Sequence, residues 1–173
     1  MDIEFLKKKI RNIPDYPKPG IQFKDITPIL QNPKLFGNVI NIFYDQFKNE
    51  KIDVILGIES RGFIFAAPLA LKLGCSLALT RKSGKLPYET VSTEYSLEYG
   101  MDTLELHVDA LKLGDRVLVL DDLLATGGTA KAAGELVMKL KCKIAYYAFF
   151  INLLELRGLE RLKPNPVFSI VEY

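Results

Sequence analysis

The stretch Val117-Leu118-Val119-Leu120-Asp121-Asp122-Leu123-Leu124-Ala125-Thr126-Gly127-Gly128-Thr129 decides how this chain is expected to fold. Its four consecutive branched aliphatic residues are typical of a strand that is covered on both faces. Two aspartates mark the expected end of that strand, and a short turn then opens a helical pattern from Ala130 to Leu140. Because ligands of open α/β sheets bind at the carboxyl ends of the strands, this segment predicts a ligand site.

Residues 125–129, the phosphate turn, have the composition of a site for a phosphate group. The two glycines let the backbone approach a ligand, and loop amides followed by a helix N-terminus bind a phosphate dianion. Asp121 and Asp122 could accept hydrogen bonds from sugar hydroxyls or help to hold a metal. An ordinary strand–turn–helix junction is the alternative. No lysine follows Gly128 and no GxGxxG pattern occurs, which disfavours nucleotide-triphosphate and dinucleotide sites.

Length and composition predict one domain with a substantial core. The chain has 173 residues, of which 49% are hydrophobic, and its net charge of +2 does not suggest bulk capture of nucleic acid. Cys75 and Cys142 fit neither a disulfide framework nor a zinc site, which favours a reducing, cytoplasmic compartment. Neither a secretory apolar core nor a long apolar stretch occurs, so we expect no membrane partner.

Hydrophobic periodicity predicts a doubly wound α/β fold, in which a mostly parallel twisted sheet is flanked by helices. The predicted helices are 2–12, 33–49, 62–73, 128–141 and about 155–162, and the predicted strands are 54–58, 77–81, 103–108, 116–120, 144–151 and 167–171. Residues 14–33 are rich in proline and are expected to be irregular. Residues 82–102 show little periodicity, and we interpret this long loop as a lid.

Two basic segments follow the first two predicted strands. In Glu59-Ser60-Arg61-Gly62, the planar guanidinium of Arg61 could bind a diphosphate. Arg81-Lys82-Ser83-Gly84-Lys85 places three cations on the next turn. A turn-capping arginine and a solvated charge cluster are the ordinary alternatives. Because cations gathered at one sheet edge repel each other, both segments beside the phosphate turn indicate an anionic ligand.

The thirteen residues quoted first resemble the phosphoribosyl-diphosphate (PRPP) binding motif of type I phosphoribosyltransferases. That motif is a hydrophobic strand, two acidic residues, two apolar residues and a small-Thr-Gly turn. The variant Asp-Asp-Leu-Leu-Ala-Thr-Gly-Gly-Thr is similar to the adenine branch of the family. In the 6-oxopurine branch, an aspartate that accepts a proton near purine N7 stands where this chain has Ala125. The acid–base group would therefore lie elsewhere in this chain.

The resemblance implies one domain over residues 1–173, with a small N-terminal hood at about 12–33 and a flexible lid at about 82–102. It implies transfer of the phosphoribosyl group of PRPP to adenine, which gives AMP and diphosphate in purine salvage, usually by a homodimer. Mg2+ would be the cofactor, held mainly by PRPP and water near the acidic pair. The PRPP- and AMP-binding residues that the resemblance implies are Arg61, Arg81, Lys85, Asp121, Asp122, Ala125, Thr126, Gly127, Gly128 and Thr129.

The purine would lie under the hood. In the resemblance, Phe23 stacks on adenine, the backbone of Gln22 and Lys24 reads the edge of the base, and Leu153 meets its opposite face. Phe23 could equally anchor an irregular loop to the core, and both roles are compatible. The chain departs from the family at Asn152, where a glutamate is common.

The lid segment Tyr95-Ser96-Leu97-Glu98-Tyr99-Gly100 is similar to the Tyr-x-Leu-Glu-Tyr-Gly segment of the adenine branch. There the glutamate reaches over the base, so Glu98 is implied as the general acid–base residue, and Arg61 as the second catalytic residue. An ordinary exposed glutamate is the alternative. Two other functions stay open: transfer to hypoxanthine or guanine, which Ala125 disfavours, and sensing of PRPP or purines without turnover, which would not need Glu98.

Overall fold

The computed structural model describes residues 3–97 and 100–173, without the side chains of Ser96 and Leu97. The helices are α1 (Ile3–Lys9), α2 (Thr27–Leu30), α3 (Pro33–Phe47), α4 (Gly62–Leu73), α5 (Gly128–Lys139) and α6 (Gly158–Leu162), with a 3-10 turn at Leu154–Leu156. The strands are β1 (Arg11–Pro14), β2 (Gln22–Asp25), β3 (Val54–Ile58), β4 (Ser76–Lys82), β5 (Thr90–Leu97), β6 (Gly100–His107), β7 (Arg116–Leu124), β8 (Lys143–Asn152) and β9 (Val167–Glu172).

The main sheet has the strand order β5-β6-β4-β3-β7-β8-β9. Strands β4, β3, β7, β8 and β9 run parallel, and β6 joins β4 in the antiparallel direction. The expected mostly parallel α/β sheet flanked by helices is confirmed. Because the parallel strands point the same way, their carboxyl ends, and the turns that follow them, meet at one edge.

The core lies on both faces of this sheet. Every residue of β3 is buried, as expected for a strand covered by helices on two sides. On one face α3 contributes an apolar stripe that includes Val39, Phe43 and Phe47, and the side chain of Asn32 caps its first turn. On the other face α5 buries Ala133 and Leu136. No helix in the described ranges is long and apolar enough to cross a membrane.

The N-terminal segment is more regular than predicted. Helix α1 ends at Lys9, and β1 and β2 form a separate antiparallel ribbon in which Ile13 pairs with Phe23. The expected continuation of the helix to residue 12 was therefore wrong, and the segment expected to be irregular contains β2 and α2. Four-residue strands offer too few alternating positions for their period to be recognised from sequence.

The interpretation of residues 82–102 as a loop without regular structure was also wrong. Strands β5 and β6 form an antiparallel hairpin, which packs on α5 and in which the Lys139 ammonium group contacts the Ser92 carbonyl oxygen. Thr93 and Tyr95 face inward while Ser92 and Glu94 are exposed, so the alternation of a strand is present. The alternation was not recognised from the sequence because the buried position 93 is occupied by a polar threonine. The role of this segment as a lid stays a prediction.

Candidate functional site

The acidic pair lies inside β7 and not after it. The predicted end of this strand at Leu120 was wrong, because pairing with β8 continues as far as Leu124 opposite Asn152. Pairing with β3, however, stops at Leu120. Asp121 and Asp122 therefore lie where β7 pairs with β8 but no longer with β3. The side chain of Asp122 is buried and that of Asp121 is half-buried.

The phosphate turn joins β7 to α5 in a conformation that requires glycine. Gly127 has a φ of +81°, and a Cβ atom there would lie 2.7 Å from the carbonyl oxygen of Gly158. The first intrahelical bond of α5 runs from Lys131 N to Gly127 O at 2.9 Å. The preceding amides have no acceptor within the helix, and they border a cavity of about 80 Å³ lined by Asp121, Leu123, Leu124 and residues 125–130.

Arg61 reaches the acidic pair from the start of α4. Its Nε lies 2.9 Å from Oδ2 of Asp122, and the Asp122 amide donates to Oδ1 of Asp121 at 2.8 Å. Burial raises the pKa of Asp122, although the Arg61 charge opposes the shift. Burial and the charge of Asp122 raise the pKa of Asp121 well above its ordinary value. A cation or hydroxyl donors from a ligand would therefore stabilise the ionised pair.

A close contact between α4 and β7 holds Arg61 in this position. A Cβ atom at Gly62 would lie 2.8 Å from the carbonyl oxygen of Leu120 and 2.9 Å from Oδ1 of Asp121. Only glycine therefore lets the start of α4 approach the acidic strand this closely. Because Arg61 directly precedes this glycine, its side chain begins beside Asp122.

Glu59 gathers the basic side chains that the sequence singled out. Its Oε1 accepts from Lys85 Nζ at 2.7 Å and contacts Arg81 at 3.4 Å, and its Oε2 accepts from the Lys82 amide at 2.8 Å. Burial alone would raise the pKa of Glu59, but the hydrogen bonds from Lys85, Lys82 and Arg81 outweigh it and lower the pKa to about 2. The Glu59 carboxylate therefore offsets the repulsion between Arg81 and Lys85. The proximity of these cations alone no longer indicates an anionic ligand.

A second cavity, of about 540 Å³, opens beneath the hood and is called here the base cavity. Its lining residues are Gly20, Ile21, Gln22, Phe23, Lys24, Arg61, Leu123, Ala125, Leu153, Glu155, Leu156 and Tyr173. The predicted stacking residues Phe23 and Leu153 thus line one cavity, as do Gln22 and Lys24. The Phe23 ring has the Arg61 guanidinium 5.0 Å from its centroid, and Tyr16 meets it edge-on at 5.2 Å.

Sequence reasoning missed Tyr173 as a lining residue of the base cavity. Its amide donates to Asn152 O at 3.0 Å, which fixes it beside the end of β8. The ammonium of Lys24 lies 4.0 Å from the centroid of its ring and that of Lys7 lies 4.7 Å away, and the phenol donates to Lys7 O at 3.1 Å. An aromatic residue just after the last predicted strand, at the same sheet edge, was the available signal.

Two other predicted features have different outcomes. Glu98, the expected acid–base residue, lies outside the described residues. Asn152 is buried, and neither polar atom of its carboxamide has a hydrogen-bond partner in the described part of the chain. Within the described residues, Asn152 thus places a carboxamide without hydrogen-bond partners at the end of β8, between β7 and β9.

The acidic pair offers carboxylate oxygens, which suit a hard cation such as Mg2+. In the described ranges no group of three or more His, Cys, Asp or Glu side chains is placed to hold a metal ion. Arg61 also already pairs with Asp122. A Mg2+ ion here would have to take most of its oxygen ligands from a bound diphosphate and from water.

Residues 25–171, most of the chain, match the family model of a phosphoribosyl transferase domain. The chain belongs to the phosphoribosyl transferase family. A protein from Chloroflexus aurantiacus named adenine phosphoribosyltransferase is 53% identical over 168 residues, which are 97% of each chain.

Two solved adenine phosphoribosyltransferases have the same fold. The structure from Thermoanaerobacter pseudethanolicus is 45% identical with a TM-score of 0.97, and the match covers 99% of this chain and 100% of that one. The structure from Saccharomyces cerevisiae, complexed with an imino-altritol bisphosphate and adenine, is 42% identical with a TM-score of 0.92 over 97% of both chains. The predicted resemblance to the adenine branch is confirmed.

In this phosphoribosyl transferase the two cavities adjoin. Leu123 and Ala125 line both of them, and Asp121 lines the smaller one beside the same turn. A phosphate-sized space and a base-sized space thus share a wall, with the acidic pair next to it. A nucleoside monophosphate has this order of parts: phosphate, ribose and base.

Proposed function

We propose that the chain transfers the phosphoribosyl group of PRPP to adenine in purine salvage. The bond from ribose C1 to diphosphate breaks with its electron pair leaving on diphosphate, the bond from adenine N9 to C1 forms with inversion, and the N9 proton is removed. The observation that carries this proposal is the shared wall of the two cavities at Leu123 and Ala125. Relatives named for the same reaction support it.

The phosphate turn would bind the 5′-phosphate through the amides that lack acceptors in α5. Asp121 and Asp122 would accept hydrogen bonds from the ribose hydroxyls. The ribose gains oxocarbenium character as diphosphate departs, so fixed groups that stabilise the separating charges lower the barrier. Mg2+, bound mainly by the diphosphate and water, would neutralise the leaving group.

Arg61, Arg81 and Lys85 would contribute positive charge around the diphosphate. Arg81 and Lys85 contact Glu59, so binding would exchange part of that contact for phosphate oxygens. Because Glu59 remains ionised to about pH 2, it keeps the two cations in place between turnovers. These cations therefore need little reorganisation when the substrate arrives.

The base would lie between Phe23 and Leu153, and the backbone of Gln22 and Lys24 would read its edge. Ala125 lines both cavities, and its methyl group cannot accept a proton. We therefore assign proton transfer to Glu98, delivered by the lid. The yeast relative, which was solved with adenine, supports the choice of base.

A homodimer is part of the proposal. Leu77 and Leu79 lie two positions apart on one face of β4 and are exposed, and Leu71 near the end of α4 is 86% exposed. A second copy of the chain would cover this apolar surface. Sedimentation velocity should then show a dimer that the double substitution Leu77→Glu and Leu79→Glu converts to a monomer. A monomeric wild type would refute the dimer.

We also propose that the protein works in the cytoplasm, which the free thiols of Cys75 and Cys142 support.

The deciding experiment incubates purified protein with PRPP, Mg2+ and one purine base at a time and measures the nucleotide formed. The proposal expects AMP from adenine and little product from hypoxanthine or guanine. Product from a 6-oxopurine alone would reject the choice of base. Binding of PRPP without turnover of any base would instead indicate a sensor.

A further inference from the structure

We propose that Tyr173 is a positioning residue whose side chain holds the hood over the base cavity. It connects Lys24 of the hood to the strand end that carries Leu153, and all three residues line the cavity. The consequence for adenine rests on the proposed function, because the base would bind between these two walls. The attachment of the hood itself can be measured without any ligand.

The backbone of Tyr173 holds the wall that carries Leu153. Its amide donates to the carbonyl oxygen of Asn152 at 3.0 Å, and its own carbonyl oxygen accepts from the Leu154 amide at 2.8 Å. These two hydrogen bonds bracket Leu153. Because they involve only backbone atoms, a change of side chain at position 173 leaves this wall in place.

The side chain of Tyr173 meets the opposite wall, which is the β1–β2 ribbon. The Lys24 ammonium of β2 lies 4.0 Å from the centroid of the tyrosine ring. Successive residues of a strand point to opposite faces, so the neighbouring Phe23 has a different partner, the guanidinium of Arg61 at 5.0 Å. Lys24 also donates to Asn12 at 3.0 Å, but Asn12 belongs to the ribbon itself. One cation–π contact on each face of β2 thus joins the ribbon to the rest of the protein.

A second ammonium group increases the importance of the Tyr173 ring. Lys7 of α1 lies 4.7 Å from the centroid of the same ring, and the phenol donates to the Lys7 carbonyl oxygen at 3.1 Å. Because two ammonium groups approach one ring, they repel each other, and burial together with the charge of Lys7 lowers the pKa of Lys24. The electron-rich ring attracts both cations and offsets this repulsion. Without the ring, the repulsion would push β2 away from α1.

Amide hydrogen exchange of the ligand-free protein tests this attachment. A two-stranded ribbon is marginally stable by itself, so its amides exchange once it leaves the rest of the protein. Tyr173→Leu removes the contact with Lys24, and peptides covering residues 11–25 should exchange about 3- to 30-fold faster. Tyr173→Phe keeps the ring and should change these rates by less than about twofold. Unchanged exchange in Tyr173→Leu, or equal acceleration in both variants, would overturn the proposal.

Tyr44→Leu is the matched control, because Lys72 Nζ lies 4.6 Å from the centroid of the Tyr44 ring. Tyr44 is also half-buried and packs on the same apolar core as Tyr173, but it lies in α3, outside the hood. This variant should leave the exchange of residues 11–25 unchanged. If Tyr173→Leu does not fold, Lys24→Gln removes the cation and keeps a long polar side chain. It must also accelerate exchange of the ribbon, or the proposal fails.

Ligand binding and turnover separate this inference from the proposed function. Tyr173→Leu should raise the Kd for AMP and the KM for adenine by about 3- to 30-fold. The Kd for ribose 5-phosphate should not change, because that ligand has no base. An unchanged Kd for AMP would reject the positioning role while the proposed reaction stands. A wild type that makes no AMP would reject the reaction, and exchange of the ligand-free protein would still decide how the hood is attached.

Discussion

The phosphate turn and the base cavity are built in opposite ways. The phosphate turn is five consecutive residues and their backbone amides, shaped by one glycine that lies close to Gly158. The base cavity is assembled from the β1–β2 ribbon, the end of β7, the segment after β8 and Tyr173. The phosphate turn offers backbone amides from one short segment, whereas the base cavity is lined by side chains and backbone that distant segments bring together. Binding of phosphate and handling of the base should therefore be separable by mutation.

Replacing the predicted acid–base residue should give the largest effect. Glu98→Ala should lower kcat by about 10²–10⁴-fold, the usual contribution of a general acid–base group, with little change in the Kd for PRPP. Single-turnover rates and PRPP binding measure the two quantities. Glu94→Ala, which replaces an exposed glutamate of β5, is the control and should leave both quantities unchanged. Equal losses in turnover and binding would reject the role.

Gly127→Ala should break the phosphate turn. The new methyl group meets backbone at 2.7 Å and the residue must keep a φ of +81°, so we expect kcat/KM for PRPP to fall by about 100-fold or more. Gly74→Ala is matched, because Gly74 has a φ of +71° but nothing within 4 Å of the added atom. It should cost about 1 kcal/mol of stability and no activity. Similar activity losses in both variants would show that strain alone is responsible.

Phe23→Leu should affect only the base. Loss of the ring removes stacking and the contact with Arg61, so the KM for adenine should rise about 3- to 10-fold. The Kd for ribose 5-phosphate, measured by calorimetry, should not change. A parallel loss of both affinities would contradict the separation between the two regions.

Replacing Glu59 should affect the stability of the fold. The pKa of Glu59 is lowered to about 2, so its stabilisation is present above its ordinary pKa of 4.5 and is lost as pH falls toward 2. Glu59→Gln should cost about 1–3 kcal/mol at pH 7 and progressively less below pH 4.5. Urea unfolding at several pH values measures this. A cost that is independent of pH would exclude the ionised carboxylate as its source.

The contrast between the two regions also explains what the sequence could predict. The phosphate turn was recognisable because its glycines, hydroxyls and helix start are contiguous. The end of β7 was misplaced because charged residues usually follow a strand, whereas here β3 stops pairing first and leaves room for them. The hairpin was missed because Thr93 occupies an inward position.

Contacts between side chains were harder to predict from the sequence than the course of the backbone. The sequence placed Arg81 and Lys85 near each other but gave no sign that Glu59 joins them, because that contact depends on the register between β3 and β4. Tyr173 enters the base cavity through the pairing of β8 with β9. Resemblance supplied Phe23 and Leu153, since no local pattern connects residues so far apart.

A crystal structure with bound AMP tests the central claim most directly, because a single ligand must span both regions. The account predicts the 5′-phosphate within hydrogen-bond distance of amides in residues 126–129 and the purine between Phe23 and Leu153. A phosphate bound away from the turn, or a base outside the hood, would contradict it.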